Sequence, residues 1–276
     1  MTGTLSFTAR RPAAARRVAA LVRRDWKIRT SYRAAFVLDF IIGVLDLAVY
    51  YFISKTFTGV TTSLSGAPDY FAFALVGIAV TTVITAAATG LALRVREEQL
   101  TGTLEALLTQ PMSAIQLALG MCAFPFLFAT VRVGTYLLVG ALLLGLDLSH
   151  ADPLGFVLML AAIGGAMSSI GILSGAVVLV IKRGDKLAAL ALFGMGLVGG
   201  AFFPVSVLPS WLEAIGKAVP TRFAFDGLRS ALYRGSGWAD DALVLAGFTL
   251  VCLPIALWLF SRALDWGRRR GSLSQY

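Results

Sequence analysis

The chain has 276 residues, of which 58% are hydrophobic and only 14% charged. Soluble domains carry about 25% charged residues, and several apolar runs here exceed the roughly 18 residues that mark a membrane-crossing helix, so a soluble fold is excluded. The net charge of +9 does not point to nucleic acid, because the basic residues gather at the ends and between apolar runs, where they orient a chain in a bilayer.

Residues 1–16 are rich in Arg, Ala and Pro and show no periodicity. No apolar core closely follows Arg10, Arg11, Arg16 and Arg17, so the segment does not read as a cleavable secretory signal. From 17 to 34 the aliphatics Val18, Leu21, Val22 and Ile28 and the single Trp26 alternate with Arg and Lys. That pattern predicts a helix lying in the interface against anionic headgroups. A first span follows from Phe36 to Ser54. It carries Asp39 and Asp46, seven residues apart and so on one helix face. Asp46 is near mid-span, where a charge costs about 2.5–3.5 kcal/mol on insertion scales, so it requires a partner or a wet surface. Lys55 to Asp69 reads as a loop, and Tyr70 to Leu93 as a second, wholly uncharged span.

The stretch from Arg94 to Pro111 is different in kind. Leu100, Leu104, Leu107 and Leu108 fall at helical spacing, with Arg96, Glu97, Glu98, Gln99 and Glu105 on the polar side and Pro111 as the stop. By periodicity this is an amphipathic connector at a membrane surface. Ile115 to Leu146 is longer than one span needs, which predicts an interfacial turn or a bend near Pro125. Arg132 lies inside it. Asp46 and Arg132 are therefore candidate intramembrane partners, or each faces a wet interface separately.

His150, the only histidine, sits in an acidic loop. The fourth span, Leu154 to Ile181, contains Gly164, Gly165, Ser168, Ser169, Gly171, Ser174 and Gly175, small residues whose spacing lets helices approach closely in lipid. Lys182 to Lys186 is a basic turn, and a fifth span runs from Leu187 to Phe203. Its Gly194-x-Gly-x-x-Gly199 spelling lacks the strand that a dinucleotide loop requires. Pro204, Pro209 and Pro220 break the next segment into a re-entrant or interfacial hairpin. The last span is Ala242 to Ser261, with a kink at Pro254. Cys122 and Cys252 lie in apolar runs and read as small hydrophobes.

Placing both termini, the 94–114 loop and the 182–186 turn in the cytoplasm puts 18 of the 24 Lys and Arg there and leaves Lys55, Lys217, Arg222, Arg229 and Arg234 outside. The expectation is an all-α, polytopic protein of the cell (inner) membrane. It has six transmembrane helices, an N-terminal interfacial helix and an outer re-entrant hairpin before the last span. The chain contains no P-loop, no His-Glu-x-x-His and no Cys-x-x-Cys, so catalysis, a metal and a cofactor are not expected of it.

Three motifs in order carry a resemblance. Arg96-Glu97-Glu98 leads to Gly102-Thr103-Leu104-Glu105 and Pro111. Gly200-Ala-Phe-Phe203-Pro204 leads to Leu208-Pro209-x-Trp211. Pro220 is followed by Phe225-Asp226-Gly227-Leu228-Arg229. Together with the basic N-terminal helix, the chain resembles an ABC-2-type transporter permease, the membrane subunit of an ATP-driven exporter. The resemblance implies a cytoplasmic tail and interfacial helix over 1–34 and one transmembrane domain over 35–276. It places an ATPase-coupling loop at about 94–114 and the outer hairpin at about 204–240. It implies ATPase coupling through Arg96, Glu97, Glu98, Gly102, Thr103, Glu105 and Trp26, and an outer gate at Phe203, Pro204, Pro209 and Trp211. Asp46 and Arg132 become pathway charges. The implied partners are two copies of a separate ATPase, a second and identical permease chain, membrane lipid and an amphiphilic substrate (drug, lipid or lipid-linked glycan), with no nucleic acid. The competing reading of the residues is an ion-coupled carrier or a membrane scaffold using Asp46 and Arg132.

Overall fold

The computed structural model describes residues 14–56, 64, 66–102, 113–180 and 184–270, and all regular structure among them is helical. In chain order the helices are α1 (Ala14–Ser31), α2 (Arg33–Thr56), α3 (Tyr70–Leu100), α4 (Ala114–Leu143), α5 (Pro153–Val180) and α6 (Gly184–Val198). A 3-10 turn (Val205–Val207) leads to α7 (Ser210–Ala218) and α8 (Pro220–Arg229). A π turn (Ser230–Arg234) then precedes α9 (Trp238–Arg270).

The helix starts have local causes. Asp69 accepts the Ala72 N–H at 2.7 Å at the head of α3. Ser113 and Gln116 form a reciprocal capping box on α4. Asp152 accepts the Leu154 N–H at 3.0 Å at the head of α5. The end of α6 is set by glycine. Gly200 takes φ 97°, and the N–H groups of Gly200 and Ala201 return to the carbonyls of Leu197 and Gly196, the two bonds of a Schellman turn.

Five helices, α2 to α5 and α9, are long and apolar enough to cross a membrane. The expected fifth span is the exception. It ends at Val198, short of Phe203. Its 15 residues span only about 22 Å at 1.5 Å per residue, against about 30 Å of hydrocarbon. Two further boundaries differ. The helix of the second span does not stop at Leu93 but continues to Leu100, so the front of the Arg94–Pro111 stretch is the end of a spanning helix and not a separate amphipathic piece. Ala114 to Leu143 is one helix with Pro125 inside it, so no interfacial turn interrupts it.

Helix α3 is the centre of the bundle and the most buried of the five, flanked by α4 and α5, while α9 lies along α5. Close approach of α3 and α5 depends on missing side chains: a Cβ on Gly171 would strike the Ala87 carbonyl, and one on Gly175 would meet Leu91. The expectation from small-residue spacing is met at these two positions. By contrast α2 and α9 are largely exposed, and their outward Leu45, Val49, Leu250 and Val251 suit lipid or another subunit. Replacing Gly171 with Leu should destabilise the bundle by about 1–3 kcal/mol, as overpacking does. The readout is a lowered midpoint for unfolding in detergent, and an unchanged midpoint would show that α3 and α5 do not meet there.

Candidate functional site

At the end of the bundle where α3 terminates, α1 is tied to it by charge. Asp25 is 2% exposed. One of its carboxylate oxygens accepts from Arg24 Nε at 3.0 Å, and the other lies 3.1 Å from Arg94 Nη2. Arg24 Nη2 reaches Glu98 at 2.9 Å, and Arg94 Nη1 reaches Glu97 at 3.4 Å. The result is an alternating chain of two cations and three anions joining a surface helix to the tip of the central span. Burial works against the Arg24 charge, but the Asp25 and Glu98 carboxylates outweigh it and raise the guanidinium above its ordinary pKa. Trp26 packs edge-on to Phe124 at 6.4 Å and remains half exposed.

From this clasp a groove of about 880 Å³ runs between α1, α2, α3 and α4, within the range of ligand sites. Its α3 wall extends from Glu97 back to Ile78, about 28 Å of helix by rise per residue, so the groove runs from the surface clasp well into the bundle. The walls are mixed. Phe124 and Phe128 supply apolar surface near the clasp, and Thr81, Thr82, Thr85 and Thr89 supply hydroxyls along α3. Asp46 and Arg132 both line it. At the far end Tyr50 of α2 stacks on Phe202, with ring centroids 5.8 Å apart and 11° between planes.

The far end of the bundle is fastened by Arg229. This side chain is 1% exposed, and its guanidinium lies 3.6 Å above the Phe73 ring. Its Nη2 donates to the Gly200 carbonyl at 2.8 Å and the Phe73 carbonyl at 3.3 Å. Burial lowers the guanidinium pKa to about 10 against the pull of Asp226, so it stays protonated at neutral pH. Tyr233 donates its hydroxyl to Ala72 O at 2.8 Å, and Trp238 donates Nε1 to Asp152 at 2.9 Å. The segment from Gly200 to Trp238 is thus bolted to the first turns of α3 and α5.

Among the residues singled out from sequence, Glu97 and Glu98 belong to the clasp, and Trp26 stands beside it on α1. Arg96 sits in the same last turns of α3. Gly102 takes φ 70° with open space around it, the conformation that ends a helix. Thr103 and Glu105 lie outside the described residues. Asp46 and Arg132 share the groove, but among the described residues no ion pair joins them; Arg132 instead donates to the Tyr136 hydroxyl. Of the hairpin residues, Pro204 is buried, while Pro209 and Trp211 are exposed. The phenylalanine that reaches the groove is Phe202, next to the expected Phe203. Asp25, Arg94, Tyr50 and Arg229 were not singled out as functional. Two of them carried a signal, Arg94 as the first residue of the Arg94–Pro111 stretch and Arg229 by its place at the end of the Pro220 to Leu228-Arg229 motif.

The fold and groove define a polytopic helical membrane protein with a groove of mixed polar and apolar walls beside its central helix. A family model of ABC-2 type transporters matches residues 16–233, from α1 through the π turn. The chain belongs to the ABC-2 type transporter family, as the transmembrane permease component of an ABC transporter, and that family implies an ABC ATPase as partner. A comparison with curated proteins gave no match.

Two outcomes are expected from this geometry. Asp25→Asn removes the charge that holds Arg24 and Arg94 together, so amide hydrogen exchange along α1 should quicken while that of the α3 core is unchanged. Equal protection of α1 in both proteins would mean that the clasp does not hold it. Arg229→Met leaves buried carbonyls unpaired and should cost about 1–3 kcal/mol, the desolvation penalty of unsatisfied buried polar groups, read as early protease cleavage between Gly200 and Trp238.

Proposed function

We propose that this permease is the membrane half of an exporter in the cell (inner) membrane, with both termini in the cytoplasm. It would move an amphiphilic substrate out of the cytoplasm or the inner leaflet, powered by a separate ATPase. The expected organisation is a tail and interfacial helix over 1–34 and a transmembrane domain over 35–276. Two such chains, taken as identical, would pair with two ATPase copies. The observation that carries this reading is the ionic clasp of Asp25, Arg24, Arg94 and Glu98. It joins the interfacial helix to the same tip of α3 from which the 94–114 loop departs. A push on that loop or on α1 is then felt by both. The basic excess on this side supports its cytoplasmic placement.

In this scheme Arg96, Glu97, Glu98, Gly102, Thr103 and Glu105, with Trp26, form the coupling surface. The groove with Asp46 and Arg132 is the cargo path. Phe203, Pro204, Pro209 and Trp211 belong to the outer gate, and Phe202 meets the groove directly. An amphiphile suits a track that offers hydroxyls and charges on one wall and phenylalanines on another. Affinity purification from the native membrane in mild detergent should bring down a stoichiometric P-loop subunit with ATP hydrolysis. Glu105→Lys should abolish ATPase association or coupling and leave membrane insertion intact. Purification of the chain alone, even after crosslinking through residues 94–111, would favour an ion-coupled carrier or a scaffold.

A further inference from the structure

Two of the charges that line the groove, Asp46 and Arg132, have no ion pair among the described residues. Arg132 spends Nε and Nη2 on one acceptor, the Tyr136 hydroxyl, at 3.1 and 2.6 Å. A guanidinium has five N–H groups, so the others have no protein acceptor among the described residues. The hydroxyl itself is wedged against Gly43, where even a Cβ would collide with it. The Arg132 head is therefore fixed at the level of Gly43 on α2. Asp46 lies three residues beyond Gly43, about 4.5 Å further along the helix, and it is exposed where it lines the groove. Tyr50 follows one turn later on the same face, stacked on Phe202. Thr81, opposite on α3, has a buried hydroxyl with no partner.

Each half of this arrangement selects one sign of charge. Unused guanidinium N–H groups favour a phosphate or carboxylate. A carboxylate next to aromatic faces favours an ammonium. A purely cationic ligand would leave Arg132 uncompensated in the bilayer, and a purely anionic one would leave Asp46 so. The geometry points to a zwitterionic amphiphile as the ligand of the groove. Its anionic group sits on Arg132, its cationic group between Asp46 and the Tyr50–Phe202 pair, and its chain along Phe124 and Phe128. This rests on the groove being the cargo path proposed above, and it narrows that cargo to one class of headgroup.

The test is binding to the isolated permease in nanodiscs, without ATP or ATPase. Three amphiphiles of one chain length serve as probes: lysophosphatidylcholine, lysophosphatidylglycerol and an alkyltrimethylammonium. The wild type should hold the zwitterion at least about tenfold tighter than either singly charged probe, a modest value for losing one partner of a desolvated charge pair. Arg132→Gln should reduce lysophosphatidylcholine to the level of the ammonium probe, and Asp46→Asn to that of the anionic probe. Arg132→Lys and Asp46→Glu keep the charges and should keep the preference. Equal affinity for the three probes, or loss of preference in the charge-keeping variants, overturns the assignment. Chain-free phosphocholine binding as tightly as the lysolipid overturns the amphiphile requirement. Because no ATPase is present, headgroup selectivity can hold while co-purification of a P-loop subunit fails, or the reverse. The two readings therefore fail separately.

Discussion

Backbone carbonyls that lipid cannot satisfy decide the architecture of the far end. Helix α6 stops at Val198 and the chain then turns at Gly199 and Gly200. The carbonyls of Gly200 and Ala201 would face an apolar interior, where unpaired polar groups are strongly disfavoured. Arg229 supplies the missing donors, and its stacking on Phe73 carries the same grip to α3. Gly77 then allows Ala201 to seat directly on α3, since a Cβ there would meet the Ala201 carbonyl. The glycine turn that ends the short helix is thus held to α8 and α3 by a single buried cation. Phe202 is presented to the groove because its neighbour Ala201 is fixed in this way.

Much of the bundle was legible in the sequence because its signals are local. Apolar run length located the long helices, and the four-residue spacing of Gly171 and Gly175 marked the α3–α5 contact. Prolines and glycines marked the break after Val198. The misplaced boundary at Leu93 is also local in origin. Arg94, Arg96, Glu97 and Glu98 look like a surface connector, yet they continue the α3 helix, because Arg and Glu are good helix formers and the turn waits for Gly102.

The candidate site was legible only in part, for the opposite reason. Asp25 reads as one acid among many bases, and its meaning depends on Arg94, distant in sequence but adjacent across α1 and α3. Arg229 reads as a polar hairpin residue, but its burial is decided by Phe73 and Gly200, which no periodicity connects to it. Asp46 and Arg132 could be named as intramembrane charges from their positions. Whether they would pair depended on the rotation of α2 against α4, set by the seat of Tyr136 on Gly43. The threonines of α3 gave no signal because that span carries no charge, and its one polar face is visible only beside its neighbours.

Loose packing makes α2 the movable wall of the groove. This helix is the least buried of the five candidate spans, yet it carries Asp46 and Tyr50 of the polar lining. It is joined to α1 through an ion pair of Arg29 with Asp39, and Arg29 also lies 5.2 Å from the Phe128 ring of α4. Asp25 and Arg29 are four residues apart on α1, so one face of that helix grips both the tip of α3 and the start of α2. Helix α3 is buried on most of its surface and cannot shift without repacking the core, whereas α2 buries far less of its surface. A force applied to α1 would therefore be resolved as movement of the α2 wall against a fixed α3 wall. That movement changes the separation of Asp46 from Arg132 and of Tyr50 from Phe202. On the proposed reading, this is how work done at the cytoplasmic surface would reach the middle of the bilayer without any rearrangement of the central helix.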